Sequence, residues 1–211
     1  RLEYIMEGDT PSFLNLIGNG LGGHISPAYG GWGGRYLLHQ TYAEVRPIWT
    51  NTRAGRDTVV AENGRADTSA QATIWRWREA YQHDFAARMD WCVADSFEKA
   101  NHNPIAVVDG DATKNVIERK ARLGEPVALN AEGSNDPDGD KITYRWFDYS
   151  EVSGDRANVE ASIENPSKAE ATLAIGKAKP GQTIHVILEV KDDGEPTLFS
   201  YRRLILNVEE K

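Results

Sequence analysis

The chain has 211 residues, 40% of them hydrophobic, with a net charge of −8 and a sequence pI near 5.2. That length supports two modest domains with separate cores, and the acidic balance argues against a nucleic-acid backbone or an anionic membrane surface as partner while leaving neutral ligands and cations open. The lone Cys92 excludes an internal disulfide framework, and no apolar run reaches the roughly 18 residues of a membrane-spanning helix.

The chain opens at Arg1 on an apolar, strand-like segment with Leu2, Tyr4, Ile5 and Met6. Native termini are more often polar and frayed, so this opening predicts the carboxy-terminal portion of a longer protein, with any secretion signal upstream. Thr10 can then cap a helix, Pro11 suits its first position, and Phe13, Leu14 and Ile17 share a face until Gly18 and Gly20 end it. A strand running straight into a helix is a βα junction, which in α/β folds sets functional groups at the carboxyl ends of strands. Between residues 18 and 34, eight glycines surround His24, Tyr29 and Trp32, predicting a shaped loop that approaches a ligand or another chain closely.

Residues 35–60 read as irregular structure with short strands. A long helix follows, capped by Asp67, Thr68 or Ser69 and running to about Val93, with Ile74, Trp77, Tyr81, Phe85, Met89 and Cys92 as a core stripe. Trp75, Arg76 and Arg78 face the other way, which gives Trp75 ligand-stacking potential beside arginines. The polar segment 95–104, closing on Asn103 and Pro104, marks a domain boundary. Beyond it, spacing turns to period two and predicts strands near 105–109, 126–131, 142–149, 158–163, 169–175, 182–191 and 198–208. Seven such strands suit a two-sheet, immunoglobulin-like sandwich of about 100 residues. Within 182–191, Ile184, Val186, Leu188 and Val190 point one way, and His185 is expected on the exposed face.

The acidic turn of residues 134–140 runs into a strand whose alternate positions are Ile142, Tyr144 and Trp146. Asp136, Asp138 and Asp140 can gather around Ca²⁺, with Asp192 or Asp193 added if the later hairpin loop lies at the same end. The alternative is a solvated turn in which Asp136 caps backbone amides and Gly139 supplies a positive φ. No nucleophilic triad, phosphate loop or dinucleotide fingerprint is present.

From Gly124 through DPDGD and Y-x-W to Gly194 the chain resembles the PKD-type and cadherin-like sandwiches of bacterial secreted carbohydrate-active proteins, in which Trp146 would be a core residue. With EGDTPSFL (7–14), GGWGGRY (30–36) and ARMDW (87–91), nearly the whole chain resembles bacterial cellulose-binding proteins that carry a nucleoside-hydrolase-like domain before such a sandwich. The resemblance implies an α/β fragment over residues 1–100, the carboxy-terminal part of a nucleoside-hydrolase-like lobe, followed by an all-β immunoglobulin-like sandwich over 104–211. It further implies that Asp9 occupies a late Ca²⁺-ligand position whose companion carboxylates lie upstream, and that Gly8 stands where such hydrolases have the leaving-group histidine.

Glu7, one residue away, is then the candidate proton donor, while Asp9 and Thr10 read without that frame simply cap the helix. Trp32 can lie against a sugar ring while Arg35 donates to hydroxyls, or Trp32 can plug its own loop. The expected function is association of a secreted protein with polysaccharide such as cellulose. Metal-assisted glycosyl hydrolysis in the longer parent and a purely structural spacer stand as alternatives.

Overall fold

The structure, a computed structural model, describes residues 9–40, 42–51, 55–61, 63–153 and 158–210, with side chains from residue 12 onward. It is mostly β and divides into two compact units, residues 1–18 with 22–81 and residues 19–21 with 82–211.

In the first unit, α1 (Asp9–Leu16) matches the predicted helix. Two small antiparallel hairpins follow: β1 (Leu37–Leu38) with β2 (Trp49–Thr50), and β3 (Asp57–Val60) with β4 (Ala66–Ser69). Among its described residues this unit pairs strands only in antiparallel fashion, so the α/β character expected of the first half is not expressed as parallel βα units.

The helix predicted across 67–93 is three pieces. Thr58, Val59, Val60 and Thr68 are β-branched and stiff at χ1, which favours the extended backbone, and the Thr58 and Thr68 hydroxyls bond across the hairpin at 2.9 Å. Ser69 Oγ then accepts the Ala72 amide at 3.0 Å and opens α2 (Ala72–Trp75). The Trp77 amide bonds back three residues to Ile74 at 3.0 Å, a tightened turn that separates α2 from α3 (Arg78–Val93).

The expected stripe on α3 is also displaced. Trp77, Ala80, Asp84 and Ala87 are buried, whereas Phe85 is 64% and Met89 48% exposed, and Cys92 is exposed too. At 3.6 residues per turn, steps of four drift about 40° each. The series Tyr81, Phe85, Met89 therefore winds off the face that alternating steps of three and four keep.

The second unit is a β-sandwich. One sheet orders β5 (Ile117–Arg122), β11 (Phe199–Glu209), β10 (Thr183–Lys191) and β7 (Thr143–Asp148), with β5 parallel to β11. The other orders β6 (Val127–Asn130), β9 (Glu170–Lys177) and β8 (Glu160–Glu164), all antiparallel. Leu129, Leu173, Ile184, Val186, Leu188, Leu204 and Leu206 fill the space between, around Trp146, whose Nε1 donates to the Lys168 carbonyl at 3.0 Å. Each such side chain contributes about 1.5–3 kcal/mol on burial. Trp146 is thus the core residue that the sandwich pattern implied.

Two strand expectations are corrected. Residues 105–109 make only isolated bridges, Ile105 to Asn135 and Val108 to Asp111, and the seventh strand is β5, whose charged sequence IERKAR hid it. His185 is not exposed: it is 4% accessible, because the outer face of β10 and β11 is covered as well as the inner one. Residues 19–21 lie on that outer face. The Asn19 carbonyl accepts the Tyr201 amide at 3.0 Å, and the Leu21 carbonyl accepts Arg203 Nε at 2.7 Å. Gly20, at φ +95°, fits there because a Cβ would overlap the Tyr201 carbonyl.

Candidate functional site

The residues singled out in the first half take structural places. Glu7 lies outside the described residues. Asp9 opens α1, and its side chain is likewise outside them. Trp32 is 1% exposed and so offers no face to a sugar; of the two readings, burial supports the plug. Arg35, 5% exposed, is committed elsewhere. Its Nε and a terminal amine donate to Asp57 Oδ1 at 3.1 and 2.8 Å, and Arg76 donates to Oδ2 at 2.8 Å. Asp57 is fully buried between two guanidinium groups, a geometry that fixes the β3–α2 junction. Trp75 is half-buried beside that arrangement in sequence, and its Arg76 neighbour points at Asp57 rather than out.

The second half brings its predicted residues closer together. Asp136 Oδ1 accepts the amides of Asp138 at 2.8 Å and Asp140 at 3.2 Å, and Gly139 takes φ +87°, so one oxygen of Asp136 caps the backbone of the turn. Its other oxygen, Oδ2, is buried and makes no hydrogen bond. The Asp138 carboxylate accepts the His102 amide at 2.7 Å and lies 3.2 Å from His102 Nδ1.

Asp192 and Asp193 do lie at the same end as this turn. Asp193 accepts the Lys141 amide at 2.8 Å, and Asp192 accepts those of Gly194 and Leu198 at 3.1 and 2.8 Å. Asn101 Nδ2 donates to Pro196 O at 2.8 Å and to Asp192 at 3.3 Å. Gly194, lacking a Cβ, admits both the Asn101 amide and the Asp140 carboxylate against its backbone.

The charges in this corner act on one another. Partial burial, and then the carboxylates of Asp136, Asp193 and Asp138, raise the pKa of Asp140. Burial likewise raises that of Asp192, against the amides that hold its ionised form. A cleft of about 290 Å³ opens here, lined by Glu98, Asn101, Asp138, Asp140, Gly194 and Glu195. Among the described residues, no three His, Cys, Asp or Glu side chains converge to hold a metal ion, since Asp136 and Asp138 each turn toward different donors.

Sequence reasoning read 95–104 only as a boundary and missed what it contributes. His102 stacks between Phe97, with centroids 3.6 Å apart, and Trp91, 5.5 Å away, and both rings are nearly parallel to it. The recoverable signal was three aromatic residues within twelve positions of an otherwise polar segment.

Comparison with known proteins gives a consistent frame. A family model described as "Cellulose-binding protein Sde0182, C-terminal domain" matches residues 126–208, and one described as "Cellulose-binding Sde182, nucleoside hydrolase-like domain" matches residues 1–36. No curated protein gives a match. The chain is similar to a solved nucleoside hydrolase-related hypothetical protein from Saccharophagus degradans, described as associated with carbohydrate metabolism. Identity there is 35% and the TM-score 0.76, covering 98% of this chain and 49% of that one. The chain therefore spans about half the length of that relative. It also matches a PKD domain from the KIAA 1837 protein at 22% identity and TM-score 0.34, over 49% of this chain and 86% of that one.

Proposed function

We propose that the protein associates with plant cell-wall polysaccharide, cellulose in the first instance, outside the cell, because residues 1–36 match an Sde182-type nucleoside-hydrolase-like domain and residues 126–208 an Sde0182-type carboxy-terminal domain. The observation that carries this reading is the pairing of those two matches in one chain. The acidic surface agrees with it, because neutral sugar hydroxyls are good donors to carboxylates while anionic polymers are repelled. No helix among the described residues is long and apolar enough to cross a membrane. The test is retention of the purified chain on insoluble cellulose. The bound fraction should rise with cellulose and fall when a soluble cello-oligosaccharide competes; an unretained chain would remove the reading.

The rest of the nucleoside-hydrolase-like lobe is the proposed intramolecular partner and the source of its α/β character. Phe85, Met89 and Val93 stand 64%, 48% and 82% exposed on one side of α3, an apolar strip of the kind that marks an unmet contact surface. Hydrolysis is a second reading for the longer protein, favoured by the match over residues 1–36, which includes Glu7 and Asp9. Release of sugar from a nucleoside or an aryl glycoside by the full-length protein would test it.

Calcium belongs to the proposal at the acidic turn. Hard carboxylate oxygens suit Ca²⁺, and Asp136 Oδ2 is a buried acceptor without a donor. Ligation would require Asp138 to leave His102 and join Asp136 and Asp140. Calorimetric titration should then show binding in the millimolar range that Asp136→Asn abolishes, whereas heats equal to buffer dilution would dismiss the ion.

A further inference from the structure

The segment between α3 and the sandwich carries a built groove. Trp91, Ala94, Asp95, Phe97, Ala100 and His102 line a space of about 320 Å³, at the small end of ligand pockets, which run from roughly 300 to 1,000 Å³. The parallel rings are held rather than loose. Trp91 Nε1 donates to the Asn101 carbonyl at 2.6 Å, Arg88 lies over the Trp91 ring at 5.4 Å, and the Asp138 carboxylate holds His102 at both its amide and its Nδ1. Phe97 nonetheless remains 52% exposed, so one apolar ring face of the stack meets solvent.

We infer that this groove seats one neutral sugar ring of a polysaccharide, with the solvent-facing side of the Phe97 ring against its C–H face and the Asp95 carboxylate accepting from its hydroxyls. This rests on the polysaccharide reading above and names the site within it.

The chemistry of the rim selects the class. A sugar ring has an apolar face and a polar edge, which an aromatic ring with flanking acceptors complements and a purely apolar partner does not. Asp95 lines the groove, Glu98 follows Phe97 in the chain, and Asp138 holds the His102 ring. The two cations nearby are already engaged, Lys99 with Asp95 at 2.6 Å and Arg88 with Asp84 at 2.6 Å. Glu98 is held in its ionised form by its own backbone amide and by Ser96. A uronic-acid polymer would meet like charge on this rim.

The full chain, its Phe97→Ala and Phe97→Leu variants, and the probes cellohexaose and polygalacturonate make the test, read by calorimetry together with cellulose retention. Both substitutions are on an exposed side chain, and Phe97→Leu keeps apolar bulk while deleting the ring. The expected result is cellohexaose binding by the unaltered chain, weakened roughly tenfold in both variants, with no binding of polygalacturonate. Equal binding by folded variants overturns the assignment and leaves the polysaccharide reading in place. Preference for polygalacturonate overturns the ligand class. Failure of the unaltered chain to bind cellohexaose or cellulose overturns the reading and the assignment together.

Discussion

Replacing Gly20 with alanine is expected to cost about 3 kcal/mol of stability, whereas the same change two residues earlier, at Gly18, should cost well under 1 kcal/mol. The contrast is geometric. Gly20 sits at φ +95°, and its Cβ would fall on the Tyr201 carbonyl, while a Cβ at Gly18 meets nothing within 4 Å and needs no left-handed backbone. An alanine in the left-handed region costs roughly 1–2 kcal/mol by itself. The remainder comes from the two bonds that the displaced segment would release, Asn19 O from the Tyr201 amide and Leu21 O from Arg203 Nε. The second matters more, since Arg203 is fully buried and a cation that loses an acceptor there pays its desolvation in full. Urea unfolding of the two variants gives the difference. Hydrogen exchange at the Tyr201 amide gives the cause: Gly20→Ala should expose it and Gly18→Ala should not. Equal midpoints, or an unchanged Tyr201 amide, would mean that this glycine is not there for close approach.

The same segment shows where sequence reading succeeds and where it stops. Its glycines do signal close approach of backbone to something, but composition cannot say to what, and the partner is a strand some 180 positions away in the chain. The sandwich was legible because Ile184, Val186, Leu188 and Val190 alternate, and Trp146 follows a turn that names itself. β5 was not legible, since a strand whose outward residues are Glu118, Lys120 and Arg122 looks like solvated coil until β11 lies beside it.

His185 failed for the complementary reason. Alternation tells the two faces of a strand apart but does not tell whether the second face is covered. The site followed the same logic. The acidic turn was visible as local chemistry, yet His102 reaches it across 36 positions and Asn101 reaches Asp192 at the same end across 91, distances no spacing rule spans. Trp32 and Arg35, attractive as exposed ligand groups, are both buried, Arg35 because it pairs with the buried Asp57.

His185 also sets the response of the protein to acid. Its Nδ1 lies 3.0 Å from an amine of the Arg203 guanidinium, which can only donate, so the imidazole must be the neutral acceptor. Burial first, and then the Arg203 charge, push its pKa from the ordinary 6.5 down to about 3. Between those values the unfolded chain takes up a proton that the folded chain refuses. Stability is therefore complete above pH 6.5 and drains as pH falls toward 3, at up to ~1.4 kcal/mol per pH unit and on the order of 5 kcal/mol in all.

Asp140 and Asp192 act in the opposite sense, because their raised folded-state values favour protonation in the folded chain as pH drops through the carboxylate range. The whole-protein curve is thus a sum, and a variant is needed to isolate the histidine. His185→Gln keeps an acceptor for Arg203 and has nothing to titrate. It should be less stable than the parent at pH 7, and the gap should narrow steadily as the buffer is taken to pH 4. Imidazole carbon shifts in the parent should meanwhile show His185 still neutral at pH 5. Parallel stability curves for parent and variant, or a His185 ring that titrates near its free value, would place His185 in water and undo the account of the covered face.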